Sequence, residues 1–347
     1  MVFTLAEIEE IKAECFANDV VYNYDVIKVW DDDKIRDFFE SGGGGEGAAP
    51  STVKPADGSA DPFETKMPEE VIWKLNTAKT VAVVTLNRPT AKNALDDKIT
   101  EGLFLSVQRA KCTPTLRVLF LTGNGAMFCA GGDPKSFQNT AKMVEEQKQA
   151  AAEGKEVGGE KEGETFADLL AGINELPCYV VGLANGSAMG GGFGLLSICD
   201  TVVARKTAFF ALSEVKLGVI PATISPYVVA KIGPSNSRML FMTGETINAD
   251  RAKEIGLVQE VVMMPEDLMK AGQKICDTMS AAAPGAVASA KELVRSVQYR
   301  PITKELMAAT QAELVRVSCT EECAGGMVAV QQGKKAPWTT QDMSMPK

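Results

Sequence analysis

Short runs of β-branched and other apolar residues alternate with helical segments through the middle of the chain, and this alternation constrains the fold more than any other feature. Four of the runs predict strands, at residues 81–86, 117–122, 179–184 and 200–204. The intervening periodicity predicts helices over 97–112, over 166–176 and from about Gly191. Strands that alternate with helices indicate an α/β architecture in which most strands pair in parallel.

The chain differs in character on both sides of this region. Residues 1–40 predict an N-terminal helical appendage, and the Gly/Ser/Pro-rich residues 41–66 predict a flexible linker. We expect a core over 67–262 and a C-terminal helical module over 263–347. After Ile247 the pattern becomes almost wholly helical, with predicted helices over 248–256, 265–284, 284–298 and, as the last, 303–318.

Residues 138–164 form a polar, charged insertion with few apolar groups. Segments of this composition bury too little apolar surface to pack firmly, so we expect a mobile, partly helical surface loop. Because the insertion separates two glycine-rich segments, it is either a lid over a site or a solvated loop without a part in the chemistry.

Composition excludes several classes of protein. The chain of 347 residues contains no histidine, which rules out Ser-His-Asp and Cys-His triads and a histidine general base. A formal net charge of −9 without a long basic run argues against nucleic-acid binding. The eight cysteines include no CxxC pair and lie mostly in apolar runs, which indicates buried free thiols rather than disulfides or a metal site.

The sequence also bears on where the protein works. It has no apolar run long enough to span a membrane. Its start, MVFTLAEIEEIKAEC, is acidic and has the features of neither a secretory signal nor a transit peptide. We therefore expect a cytoplasmic or organelle-matrix protein.

Two glycine clusters each follow a predicted strand, MFCAGGDPKSF at 127–137 and NGSAMGGGFGLLSICD at 185–200. Glycine at a strand-to-helix corner lets the backbone approach a ligand with its N–H groups exposed. Two such corners brought together would offer two amide donors to one carbonyl oxygen, which is an oxyanion hole. Each cluster alone is also explained by a tight turn, and neither has the GxGxxG spacing of a dinucleotide site.

A third segment, FALSEVKLGVIPATISPYVVAKIG at 210–233, places one carboxylate, Glu214, in an otherwise apolar stretch. Burial of an acid there would raise its pKa toward neutrality, which suits proton transfer. The alternatives are a salt-bridge partner and an exposed residue at the end of a strand.

In this order and spacing, the three segments resemble the crotonase (enoyl-CoA hydratase/isomerase) superfamily. LNRPTAKNALDDKI at 86–99, TGETINADRAKEIGLVQEVV at 243–262 and EECAGGMVAVQQGKKAPW at 321–338 are similar to further parts of that family. The resemblance implies an α/β fold, a crotonase-like ββα spiral core with a C-terminal helical trimerisation module. It also implies a homotrimer or a dimer of trimers. The implied substrate is an acyl thioester of coenzyme A or of an acyl carrier protein, with no further cofactor and no metal.

The resemblance implies roles for individual residues. The two oxyanion donors fall on the backbone N–H groups of Gly132 and Gly191, and the catalytic carboxylate falls on Glu214. The residues implied to bind the substrate are Lys92, Ala94, Ala130, Gly131, Asp133, Phe137 and Gly190. Three of them have a purely structural alternative: Lys92 as a solvated charge, Asp133 as a loop-holding acid and Phe137 as a core residue.

One position departs from the family pattern. Two-carboxylate hydratases of the family carry a glutamate three residues beyond the middle glycine, where this chain has Gly194. The one-glutamate pattern with IPATISPYV nearby resembles methylglutaconyl-CoA hydratases and the dehydratases of hydroxymethylglutaryl thioesters, which act at a branched β-carbon. We therefore expect a hydratase or dehydratase of a branched acyl thioester, a carbon–oxygen lyase. The alternatives are a decarboxylase, isomerase or hydrolase on the same fold, and an inactive scaffold.

Overall fold

The computed structural model describes residues 61–133 and 165–346. Several predicted features lie outside these ranges: the appendage at 1–40, most of the linker, the insertion at 138–164 and Phe137. In the described ranges, no helix is both long and apolar enough to cross a membrane.

The described residues contain ten strands in two sheets. In chain order they are β1 Val71–Leu75, β2 Val81–Leu86, β3 Val118–Gly123, β4 Met127–Cys129, β5 Tyr179–Ala184, β6 Ser187–Met189, β7 Thr201–Arg205, β8 Phe209–Ala211, β9 Thr246–Asn248 and β10 Glu260–Val262. The larger sheet has the order β1-β2-β3-β5-β7-β10, antiparallel between β1 and β2 and parallel elsewhere. The four strands predicted from the sequence are β2, β3, β5 and β7, to within a residue, and their parallel pairing is confirmed.

The smaller sheet has the order β4-β6-β8-β9. β4 pairs with β6 in parallel, β6 pairs with β8 in parallel, and β9 closes the edge antiparallel to β8. Each of these strands has three residues. Such short strands depend on their partners for stability, because so few backbone hydrogen bonds do not offset the entropy of fixing the chain.

Nine helices lie in the described ranges: α1 Asp97–Lys111, α2 Phe166–Asn174, α3 Gly191–Ser197, α4 Ser225–Thr243, α5 Ala249–Glu254, α6 Pro265–Ser280, α7 Pro284–Val297, α8 Lys304–Ser318 and α9 Glu321–Gln331. Asp96 caps α1 by accepting the N–H of Ile99, and Thr165 and Asp168 form a capping box at the start of α2. α4 is kinked at Gly233, which has φ 75° and precedes Pro234.

The elements follow one another as repeated units of a long strand, a short strand and a helix. β5, β6 and α3 form one unit, and β3, β4 and α2 form the unit before it. Each long strand joins the larger sheet and each short strand joins the smaller one. This is the ββα spiral that the family resemblance implies.

The larger sheet is buried on both faces, and successive residues along β2 point to opposite sides. Val81 and Val83 pack with Leu268 and Ala271 of α6. Ala82 and Val84 pack in the main core, to which α1, α2 and the smaller sheet also contribute. Continuous apolar strands are typical of a sheet covered on both sides.

The described end of the predicted linker lies against α1. Arg109 of α1 donates to the carbonyl oxygens of Pro62 at 2.9 Å and Thr65 at 3.1 Å. Its guanidinium also lies 5.6 Å from the ring centroid of Phe63. Residues 61–66 are therefore fastened to the first helix of the core.

One sequence prediction needs correction, and one helix was missed. The segment over 303–318 is not the last helix, because α9 follows it despite the adjacent Gly325 and Gly326. The ring of Trp338 stabilises α9 by packing on Gly326, where an added methyl group would lie 2.7 Å from that ring. α4 was not predicted, since the Gly233–Pro234 pair interrupts its helical pattern.

Candidate active site

The carboxyl ends of three short parallel strands bring the predicted site segments together. β4 runs into Ala130–Asp133, β6 runs into Gly190 and Gly191, and β8 runs into the turn that holds Glu214. Because the carboxyl ends of parallel strands lie at the same edge of a sheet, these segments meet there. The smaller sheet, which no single run of the sequence reveals, is the element that assembles the site.

The two glycine segments touch each other directly. A methyl group placed on Gly131 would lie 2.8 Å from the carbonyl oxygen of Met189 and 3.4 Å from the amide nitrogen of Gly191. Gly131 also has φ 89°, a left-handed conformation that residues with a side chain rarely adopt. Both the close approach and the backbone conformation require glycine at this position.

Glu214 lies against the same junction. A methyl group placed on Gly190 would lie 3.1 Å from Oε1 of Glu214 and 3.9 Å from the Cα of Gly131. Gly190 has φ 49°, so its missing side chain serves the backbone turn as well as the carboxylate. The acid and the two glycine segments therefore share one location.

In the first glycine segment the amide of Gly132 is left available. Each neighbouring amide donates elsewhere in the protein: Ala130 to the Lys92 oxygen at 3.0 Å, Gly131 to Cys129 Sγ at 3.4 Å and Asp133 to the Leu95 oxygen at 2.9 Å. The N–H of Gly132 has no acceptor among the residues that the structure describes. A substrate oxygen is the kind of acceptor that this donor lacks.

The second segment leaves an amide available in a similar way. Gly190 donates its N–H to the carbonyl oxygen of Ala211 at 2.9 Å. Gly191 is the first residue of α3, where a backbone N–H has no acceptor within the helix. Within residues 61–133 and 165–346, nothing else accepts the N–H of Gly191.

The surroundings of Glu214 favour its neutral form. Burial raises the pKa of the Glu214 carboxyl, and a hydrogen bond from its own backbone N–H offsets this in part. Its Oε2 is buried and has no hydrogen-bond partner among the described residues. A carboxyl that is half-buried and incompletely satisfied is suited to exchange a proton with a bound molecule.

The position of the missing second glutamate is closed by packing. A methyl group placed on Gly194 would lie 2.2 Å from Cγ2 and 2.8 Å from Cβ of Ile224. Ile224 is 3% exposed and belongs to the main core. Gly194 lies one helical turn from Gly190, whose missing side chain points at Glu214. Ile224 therefore occupies the space that a side chain at residue 194 would need, and this position has no room for a second carboxylate.

The remaining predicted residues lie around the first glycine segment. Lys92 is exposed, and its carbonyl oxygen accepts the amide of Ala130. Ala94 is buried, and its carbonyl oxygen accepts from Arg88 at 3.3 Å. Asp133 is 8% exposed and forms an ion pair with Arg88 at 2.8 Å. Phe137 lies outside the described residues.

Cys129 is not a nucleophile in this site. It is buried, and burial raises the pKa of its thiol to about 12. The thiol is therefore protonated at neutral pH, and its sulfur accepts the N–H of Gly131. The Gly131 amide is therefore engaged within the protein rather than left available to a ligand.

Sequence reasoning missed two apolar residues at the site. A methyl group placed on Gly191 would lie 2.7 Å from Cδ1 of Leu95 and 3.6 Å from Cζ of Phe166. These side chains form an apolar wall beside the second free amide. In the described part of the chain, no group of three or more acidic or cysteine side chains is arranged to hold a metal ion.

Comparison with known proteins identifies the family of the chain. The sequence matches the family described as Enoyl-CoA hydratase/isomerase over residues 76–341. An enoyl-CoA hydratase of Alternaria alternata is 34% identical over 224 residues, which make up 65% of this chain and 69% of that protein. A carnitinyl-CoA dehydratase of Proteus mirabilis is 31% identical over 269 residues, 76% of this chain and 97% of that protein.

Solved structures of enoyl-CoA hydratases resemble the fold. The crystal structure of an enoyl-CoA hydratase from Shewanella pealeana superposes with a TM-score of 0.69 at 29% sequence identity. The superposition covers 78% of this chain and 96% of that one. The likeness therefore takes in nearly the whole of that structure.

Proposed function

Since the chain belongs to the enoyl-CoA hydratase/isomerase family, we propose that it catalyses the addition or loss of water at an acyl-CoA thioester. The relatives named as an enoyl-CoA hydratase and a carnitinyl-CoA dehydratase support this reaction class. The observation that carries the proposal is the position of Glu214, half-buried beside both glycine segments, with one oxygen that has no partner in the described part of the chain.

The two free amides hold the thioester carbonyl oxygen. Gly132 and Gly191 each present a backbone N–H that has no acceptor among the described residues. Negative charge grows on that oxygen when the α-carbon loses its proton, so donors fixed in advance stabilise the enolate more than the substrate. No side chain is required for this part of the reaction.

Glu214 moves the protons. In the dehydrating direction its carboxylate takes the α-proton, and the electron pair of the broken C–H bond moves onto the thioester oxygen. The bond between the β-carbon and the hydroxyl then breaks as the α,β double bond forms. The carboxylic acid of Glu214 protonates the departing oxygen, water leaves and the carboxylate is regenerated. The raised pKa of Glu214 supports a role in which one group alternates between base and acid.

The acyl group is proposed to be branched at the β-carbon. The segment around Glu214 resembles enzymes that act on such substrates, and the space of a second carboxylate is taken by the apolar Ile224. The thioester carrier is coenzyme A, as in the named relatives, or an acyl carrier protein that presents the same pantetheine arm.

A substrate panel tests the proposed function. The purified protein is incubated with 3-methyl-branched and unbranched enoyl-CoA esters, and the absorbance of the conjugated thioester is followed. We expect water addition, faster with the branched esters. Release of free coenzyme A without water addition would instead indicate a hydrolase, and release of carbon dioxide from a panel member whose acyl chain carries a second carboxylate would indicate a decarboxylase. Failure to turn over any ester would indicate an inactive scaffold.

We further propose that the chain self-associates as a trimer through its C-terminal helices. α7 has no buried residue, whereas α8 and α9 each bury one. Large apolar side chains are more than half exposed there, namely Val294, Ile302, Met307, Leu314, Met327 and Val330. Several large exposed apolar side chains on neighbouring helices are typical of a protein interface.

Light scattering tests the self-association. We expect a mass about three times the 37.0 kDa of one chain, or twice that mass if two trimers associate, because a head-to-tail interface can close into a ring. Replacing the exposed Leu314 with aspartate should lower the mass, whereas Glu101→Gln, on the surface of α1, should not change it. A wild-type protein that stays monomeric at micromolar concentration would contradict this proposal.

A further inference from the structure

Asn93 is fully buried although its side chain is polar and its backbone is left-handed, with φ 54°. Asparagine tolerates this conformation better than most residues with a side chain, because its short amide bonds to the nearby backbone. The preceding residue, Lys92, has φ 55°. Two consecutive left-handed residues are costly, so the surrounding contacts must hold them in place.

The carboxamide of Asn93 ties two stretches of backbone together. Its Oδ1 accepts the N–H of Arg88 at 2.8 Å. Its Nδ2 lies within donating distance of three carbonyl oxygens, those of Asn124 at 3.0 Å, Met127 at 2.9 Å and Phe128 at 3.2 Å. One amide side chain therefore fixes the turn before β4 and β4 itself, which leads into the first glycine segment.

The backbone after Asn93 grips the glycine segment directly. The N–H of Leu95 donates to the carbonyl oxygen of Gly131 at 2.7 Å, and its carbonyl oxygen accepts the N–H of Asp133 at 2.9 Å. These two bonds form a parallel bridge opposite Gly132. They flank Gly132 on both sides, and its own N–H has no acceptor among the residues that the structure describes.

Arg88 closes the arrangement. Its guanidinium lies 2.8 Å from Asp133 and 3.3 Å from Asp96. The hydrogen bond to Asp133 raises the pKa of Arg88, so the guanidinium stays protonated and positively charged. Asp133 therefore anchors the far end of the glycine segment, while the N–H of Arg88 anchors Asn93.

We propose that Asn93 is a positioning residue that sets the direction of the Gly132 N–H. The carboxamide fixes β4 and the Arg88 turn, Leu95 clamps the residues on either side of Gly132, and the free amide is aimed without contact between Asn93 and the substrate. The inference rests on the proposed function only in taking the Gly132 amide to bind a thioester oxygen.

Asn93→Asp tests the donors of the carboxamide. The aspartate has the same shape but cannot donate to the carbonyl oxygens of Asn124, Met127 and Phe128. Asn93→Gly is a second variant that keeps the left-handed backbone without strain and removes the side chain. We expect each to lower kcat by about 10²-fold, the cost of a misplacement of about 1 Å, with a smaller change in KM.

Asn76→Asp is the matched control. Asn76 is also buried, and its amide donates to the carbonyl oxygens of Asp342 at 3.2 Å and Ser344 at 3.0 Å, far from the glycine segments along the sheet. We expect this variant to lower thermal stability and to leave kcat unchanged. If Asn76→Asp and Asn93→Asp both lose kcat, each in proportion to its loss of thermal stability, the proposal is overturned.

A binding readout separates this inference from the proposed function. The probe is a cinnamoyl-CoA thioester, whose absorbance maximum moves to longer wavelength when its carbonyl is polarised by hydrogen bonds. We expect this shift with the wild type, with Asn76→Asp and with Glu214→Gln, and a smaller shift with both Asn93 variants. A shift in a wild type that adds no water would refute the hydratase and leave the role of Asn93 standing. An unchanged shift in the Asn93 variants, or no shift in the wild type, would overturn the role of Asn93.

Discussion

Replacing Glu214 with glutamine is expected to lower kcat by about 10²- to 10⁴-fold, the usual contribution of a general acid or base. Glutamine keeps the size of the side chain, so the affinity for the acyl-CoA ester should be retained. Residue 194, where a second carboxylate would stand, is glycine and its side-chain space is filled by Ile224, so no acid at that position can take over. Steady-state kinetics together with calorimetric binding of a 3-hydroxyacyl-CoA checks both parts.

The same variant should be more stable than the wild type at neutral pH. Because burial raises the pKa of Glu214 in the folded state, its ionisation destabilises the fold as the pH rises from the ordinary glutamate pKa through the raised one. Glutamine has no such ionisation. In thermal unfolding the variant should have the higher melting temperature at pH 7. The difference from the wild type should disappear at pH values below the ordinary glutamate pKa.

Two further results complete this test. The acid limb of the wild-type rate should lie at higher pH than for an exposed glutamate, because the base is lost when Glu214 takes up its proton. Glu101→Gln, an exposed change on α1, should alter neither the rate nor the pH profile. Wild-type turnover in the Glu214→Gln variant would contradict the role of Glu214 in proton transfer.

Replacing Gly194 with alanine should destabilise the fold at the upper end of the about 1–3 kcal/mol that overpacking costs. The added methyl group would lie 2.2 Å from Cγ2 and 2.8 Å from Cβ of Ile224. The Cβ atom is next to the backbone, so rotation of the isoleucine cannot relieve the contact. Denaturant unfolding at constant m-value measures the loss.

Combining Gly194→Ala with Ile224→Ala should relieve the clash. Ile224→Ala alone leaves a cavity and costs about 2–5 kcal/mol. In the double variant the new methyl group enters that cavity. The loss of unfolding free energy in the double variant should therefore be smaller than the sum of the two single losses, by about 0.5–3 kcal/mol. Simple additivity would mean that the two side chains do not compete for one space.

A helical glycine with room around it provides the control. A methyl group on Gly325 of α9 meets no atom nearer than 3.8 Å. Gly325→Ala should therefore stabilise the protein by up to about 1 kcal/mol, through helix propensity alone. If the free energy of unfolding falls in Gly194→Ala and rises in Gly325→Ala, the loss at residue 194 is due to the contact with Ile224 and not to the replacement of a glycine as such.

The long strands and most helices could be predicted because their signals are local. The β-branched run over 81–86 is buried on both faces and reads as a strand without help from its neighbours. The three-residue strands β4, β6 and β8 could not be predicted. Their existence depends on pairing between segments about 60 and 20 residues apart in the chain.

Of the residues at the candidate site, those with a local sequence signal could likewise be predicted and those defined by distant contacts could not. Glu214 and the glycine clusters stand out because an acid in an apolar run and repeated glycines are unusual locally. The role of Ile224 was invisible, because its contact with Gly194 joins α3 to the start of α4. Asn93 and Arg88 lie in a segment that resembles the family, but their contacts could not be predicted, since the partners lie about 30 to 45 residues further along the chain.

A crystal structure of the Glu214→Gln variant with a 3-hydroxyacyl-CoA bound tests the central claim most directly. We expect the thioester oxygen at about 3 Å from the amide nitrogens of both Gly132 and Gly191, with the carboxamide of residue 214 facing the α- and β-carbons. A thioester oxygen that contacts neither amide, or a β-carbon remote from residue 214, would contradict the account.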